Sequence, residues 1–300
     1  MTTILVTGAT GTVGGALTPA LLADGHHVRV LTRAAAKLAD RDWHDDVEIV
    51  EGDASDAADM TRALAGTEVA YYLVHGLSGA DERTLVVEEV TVAETFLRAA
   101  EDAGVRRIVY LGGLLGEVEL EDLSPHLRSR YEVGRALADG RDVEVVELRA
   151  ALVIGAGSSS YRMLEAVATE LPITPHTDWT RTLTQPVALA DAVEYLKAGL
   201  DLPPGVHDIG GPDVVSFEDL VSAYRTAAGL AALPEVDVPL LPRAVASPVA
   251  AVLSDLDPAL TRALIASAEY DTLVRPEHDV SAHCDHRPLA LTEMLQLAQP

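Results

Sequence analysis

The chain has 300 residues, 47 acidic side chains against 22 basic ones, a net charge of -25 and an apolar fraction of 48%. The apolar fraction excludes a disordered chain, and the acidity excludes nucleic acid as a partner, because phosphate binding needs a basic footprint. Acids are spread along the chain and Lys37 and Lys197 are the only lysines, a pattern read as salt-adapted and halophilic. An acidic, arginine-rich mesophilic protein is the alternative reading.

The chain opens on an apolar run, 3–8, read as a buried strand, followed by a helix over 14–25 closed by Gly25. A second strand is expected over 27–33 and a third over 47–53. A helix at 56–66 begins on an Asp cap. A fourth strand spans 68–76, a long helix 81–104 and a fifth strand 106–113. A helix at 125–140 and a sixth strand at 143–155 follow. Steady alternation of strand and helix means a parallel sheet with right-handed crossovers. Fully apolar strands agree with a sheet covered on both faces. After Gly155 the pattern loosens. Segments 184–200 and 205–211 read as a return to the sheet, and 156–183 with 212–300 as a smaller, mainly helical lobe. The lone Cys284 excludes a disulfide, and no apolar run is long enough to cross a bilayer. With no basic leader at the N-terminus, the expected location is the cytoplasm.

The loop "TGATGTVGG" (7–15) stands between the first strand and the first helix. There Gly8 allows the tight turn, Gly11 lets backbone approach a pyrophosphate and Gly14 lets helix and strand pack closely. Thr10, Thr12 and Val13 complete the loop, and the helix N-terminus offers unpaired N–H groups to phosphate. The second strand ends on Thr32 and Arg33 rather than on the acid that holds a ribose 2′-hydroxyl. Arg33 suits a 2′-phosphate, so NADP(H) is favoured over NAD(H). Asp53, ending the third strand, is a candidate for the adenine or a plain turn aspartate. His75, ending the fourth, either meets the cofactor or is a hydrogen-bonded strand-end histidine.

Together "TGATGTVG", "LTR", "EGDASD", "YLVHGL", "YLGGL", "SPHLRSRYEVG", "LRAALVIGAGS", "TQPVALAD" and "IGGPDVVSFEDL" resemble an atypical short-chain dehydrogenase/reductase of the NmrA-like, NAD(P)H-binding group. The resemblance implies a Rossmann-type doubly wound sheet (residues 1–155, with 184–211 returning to it), a smaller, mainly helical C-terminal substrate lobe and a bound dinucleotide. It does not settle activity, since such proteins include reductases, isomerases, redox sensors and assembly subunits. Active members use Tyr-x-x-x-Lys and a Ser after the fifth strand. Here two frames compete: Tyr131 with Arg135, and His126 with Arg130. Arg130 lies 19 residues before Arg149, the spacing the resemblance implies, so His126 and Arg130 take the catalytic positions. Arg130 would also hold ribose hydroxyls, and a histidine near pKa 6.5 would trade protons near neutral pH. Alternatively His126 merely packs the helix. Gly112 and Gly113 occupy the Ser position and bring no hydroxyl.

Ser158, Ser159, Ser160 and Tyr161 follow the sixth strand, on the substrate side by fold analogy; Trp179 and Arg181 are further pocket candidates, with Trp179 read first as packing the lobe rather than as a substrate platform. The run 277–288 gathers His278, His283, Cys284 and His286 without the spacing of a zinc site, so turn chemistry is expected and no metal. The expected function is an NADP(H)-dependent oxidoreductase acting on a small or hydrophobic carbonyl or enone. The alternative is a non-catalytic NAD(P)H-binding sensor or accessory subunit with a protein partner.

Overall fold

The computed structural model describes residues 1–74, 82–238 and 242–299. Its centre is a seven-stranded, all-parallel sheet formed by β1 (Thr3–Thr7), β2 (His27–Thr32), β3 (Glu48–Glu51), β4 (Val69–Tyr72), β5 (Arg107–Gly113), β6 (Glu144–Ala150) and a later strand, Gly205–Ile209. The spatial order runs from Gly205–Ile209 through β6, β5, β4, β1 and β2 to β3. The order reverses between β1 and β4, which opens a crevice at the C-terminal strand ends.

Helices cover both faces, as apolar parallel strands require. One face packs α1 (Thr12–Ala23) with Ile4, Val6 and Val30 through Leu17 and Leu21. The other carries α2 (Ala57–Leu64), α3 (Glu82–Asp102) and α4 (Pro125–Ala138), packed through Met60, Phe96 and Leu137 on Leu5, Ile108 and Tyr110. Asp56 caps α2 by accepting from the backbone N–H groups of Ala58 and Asp59, as read from sequence. Gly25 and Gly104 follow α1 and α3 with φ of +82° and +72°, where a side chain would be strained.

The expected sixth strand over 143–155 is broken. After Ala150 the chain leaves the sheet, and β7 (Val153–Ile154) pairs with a different segment, Val187–Ala188. Beyond it come α5 (Ser159–Glu170), β8 (Thr174–His176), β9 (Leu183–Thr184), β10 (Val187–Ala188), α6 (Leu189–Ala198) and β11 (Gly205–Ile209), the returning strand, which pairs with β6. The remaining elements are β12 (Val215–Ser216), α7 (Phe217–Ala227), β13 (Glu235–Asp237), α8 (Arg243–Ser254), α9 (Pro258–Ala266) and α10 (Leu291–Ala298). Helices α5, α7 and α10 share a core of Tyr161, Leu164, Leu220, Tyr224 and Met294. No helix among the described residues is long and apolar enough to cross a membrane.

Candidate active site

The glycine loop has the geometry its sequence implies. Gly8 has φ +73°, and a Cβ built on it would lie 2.6 Å from the Leu73 carbonyl oxygen. A Cβ on Gly14 would run into the Gly8 carbonyl, 2.8 Å from its carbon. Only glycine therefore lets α1 start this close to β1. The N-cap of α1 is Gly11, which has no side chain to accept the first-turn N–H groups. Those donors and the positive end of the helix dipole form a cradle fit for a pyrophosphate. Thr12 donates from its hydroxyl to the Gly157 carbonyl at 3.0 Å, tying the loop to the start of α5. Thr10 is exposed and stands off the cavity wall.

Arg33 and Asp53 follow the adjacent ends of β2 and β3 and lie outside the main cavity. Arg33 is exposed. Asp53 accepts from the Ser55 N–H at 2.8 Å and its hydroxyl at 2.7 Å. These bonds, with a smaller contribution from the Arg33 charge, hold the Asp53 carboxyl below its usual range. Asp53 thus organises the turn, and Arg33 sits within electrostatic reach of it. His75 lies outside the described residues.

A cavity of about 700 Å³ begins at Gly8, Gly11 and Gly14, passes His126 and Arg130, and ends in a chamber walled by α5, α7, α8 and α9. His126 and Arg130 are one helical turn apart on α4 and face it together. Tyr131 and Arg135 do not line it, and Arg135 stands 3.7 Å from Glu132 on the outer side of the helix. Gly113 explains the close approach of α4, since a Cβ there would lie 2.7 Å from Leu127. Hydroxyls on the cavity wall come from Ser158, Ser159, Ser160 and Tyr270 and from several threonines, among them Thr182 and Thr272.

The electrostatics correct one expectation. His126 does not titrate near neutrality: burial, reinforced by the Arg130 charge, pushes it down to about 3. Its Nδ1 is buried with no hydrogen-bond partner. Tyr110 donates its hydroxyl to the Arg130 carbonyl at 3.0 Å, and Ser129 donates to the buried Glu89, so α4 is pinned from below. Sequence reasoning missed a third anchor. Ser124 caps α4, and its N–H donates to the Tyr270 hydroxyl at 2.6 Å, across 146 residues of chain. The Ser-Pro pair at the helix start was visible, but its partner was not.

The other candidates divide. Ser158 caps α5, while Tyr161 turns into the core between α5 and α7. Trp179 lines the cavity, whereas Arg181 does not; its guanidinium bonds Asp237 at 2.7 Å and lies 3.7 Å from Glu218 on the cavity wall. In the run 277–288, His286 pairs with Asp191 at 2.8 Å and His283 meets His207 edge to face.

Residues 8–148 match the family model described as NAD(P)H-binding. A 116-residue stretch is 36% identical to a 3 beta-hydroxysteroid dehydrogenase/Delta 5-->4-isomerase of Mycobacterium tuberculosis, covering 36% of this chain and 30% of that one. The match thus spans about a third of the length of that relative. A putative dihydroflavonol 4-reductase of Synechocystis is 25% identical over 259 residues, 78% of this chain and 75% of that one. Among solved structures, a UDP-glucose 4-epimerase of Thermotoga maritima superposes with a TM-score of 0.74 at 16% identity. It covers 99% of this chain and 97% of that one, a likeness of fold.

Proposed function

We propose that this chain, whose residues 8–148 match an NAD(P)H-binding family model, is an NADP(H)-dependent oxidoreductase of the atypical short-chain dehydrogenase/reductase type acting on a carbonyl or enone. One observation carries the reading: a single cavity joins the glycine cradle, the His126–Arg130 pair and an apolar chamber. Residues 1–155 and 184–211 form the dinucleotide-binding core in this reading, and 156–183 with 212–300 the substrate lobe. A lone cysteine fits a reducing compartment such as the cytoplasm.

Gly8, Gly11 and Gly14, with the first-turn N–H groups of α1, would hold the pyrophosphate, and Arg33 the 2′-phosphate. When bound, NAD(P)H supplies the reducing equivalents. Arg130 would both hold ribose hydroxyls and stabilise negative charge on the substrate oxygen. A neutral His126 would polarise that oxygen by a hydrogen bond, a role neutral imidazoles fill elsewhere, and the proton that completes the alcohol would come from solvent. The test is turnover of NADPH with carbonyl substrates by wild type and His126→Ala. Loss of turnover with intact cofactor binding supports the role, and undiminished turnover removes His126 from the mechanism.

A second reading has its own support. Gly112 and Gly113 bring no side-chain hydroxyl at the end of β5, which suits a sensor or accessory subunit that holds the dinucleotide without using it. It requires cofactor binding with no turnover on any carbonyl and a protein partner recovered with the chain.

A further inference from the structure

The far half of the cavity is built for hydrocarbon. Its walls converge from Met163 on α5, Phe217 on α7, Val249 on α8, Leu260 and Leu264 on α9, and Trp179. Among the described lining residues Arg130 is the only Arg or Lys and Glu218 the only acid. Glu218 already accepts from the Thr180 hydroxyl at 2.7 Å and meets His176 Nδ1 at 3.0 Å. Arg181 Nε also stands 3.7 Å from Glu218 but does not line the chamber. A diphosphate in the far half would lose its water and meet hydroxyls such as those of Thr182 and Thr272, with no lining cation there to neutralise it. An apolar frame would lose nothing by leaving water and would displace it from an apolar wall. The chamber opens along α8, where Val245 and Val249 line it while remaining 52% and 47% exposed.

We propose that the chamber takes an uncharged carbonyl compound with a large hydrocarbon frame, entering past α8, and rejects nucleotide sugars. The carbonyl rests on the reductase reading above. The hydrocarbon frame rests on the chamber alone.

The two tryptophans permit a test that needs no turnover. Trp43 lies in the core against α1 and Trp179 in the chamber, so Trp43→Phe leaves Trp179 as the only tryptophan reporter. That variant is titrated with progesterone, with 2-hexadecanone and with UDP-glucose. Saturable quenching by either ketone, with Kd of about 1 μM or tighter and none by UDP-glucose, is expected. Val249→Asp, a change at a half-exposed position, should weaken it about tenfold or more. Calorimetry on the wild-type chain, where ketone binding should show a negative heat-capacity change, serves if Trp43→Phe does not fold. Saturable binding of UDP-glucose, or no binding of either ketone, overturns the proposal. Nicotinamide fluorescence with NADPH on the same samples separates the two readings. NADPH binding without ketone binding sinks the chamber proposal alone, and ketone binding without NADPH binding sinks the reductase reading.

Discussion

At His126, burial and a neighbouring guanidinium act in the same direction, and the outcome is a neutral ring. Free histidine titrates near 6.5 and this one near 3. Between those values the unfolded chain carries a proton that the folded chain lacks. Stability therefore falls as pH drops from about 6.5 toward about 3, by at most about 1.4 kcal/mol per pH unit from this group. Urea midpoints at about pH 7 and about pH 4.5 should show a smaller acid loss in His126→Gln than in wild type. Equal losses would mean that His126 is not held neutral by the fold. Arg33 has a different kind of test. Removing a charged partner of a 2′-phosphate costs about 1.5–3 kcal/mol, roughly 10–100-fold in affinity. Arg33→Ala should lose that much for NADPH and little for NADH, read by nicotinamide fluorescence. A parallel loss for both would assign the 2′-phosphate to another residue. The glycine loop was legible in the sequence because a β-turn-α connection places its residues locally.

Two elements carry the site, and each depends on its first turn. In α1 the loop tolerates no Cβ at Gly14, because the Gly8 backbone occupies that space. Gly14→Ala should abolish dinucleotide binding and cost about 1–3 kcal/mol of stability, measured by fluorescence titration and urea denaturation. Unchanged binding would show that the loop yields and that the cradle is not rigid. In α4 the start is held by the Ser124 hydroxyl, which accepts from the Leu127 N–H at 3.3 Å. Ser124→Ala should cost about 1 kcal/mol and lower kcat more than cofactor affinity, since α4 carries His126 but not the glycine cradle. The boundaries of β6 were not legible. Its apolar run continues past Ala150 to Val153 and Ile154, and pattern alone cannot report that the last two residues switch to β10.

Over the whole molecule, the acids are dispersed, and mutual repulsion at net -25 opposes the compact state. Screening lengths fall from about 10 Å at 0.1 M to about 3 Å at 1 M salt. The melting temperature should therefore rise between 0.1 M and molar KCl, and a flat or falling curve would remove the salt-adapted reading. By itself the sequence determined the doubly wound sheet and the glycine loop that opens α1. Both follow from local periodicity and turn chemistry within one or two elements, whereas the choice of His126 with Arg130 over Tyr131 with Arg135 came from the family resemblance. Only the tertiary structure decided that His126 is neutral, that Tyr270 anchors α4 and that α5, α7, α8 and α9 close one apolar chamber. Burial and convergence of residues more than a hundred positions apart are properties of packing, and no local pattern in the chain encodes them.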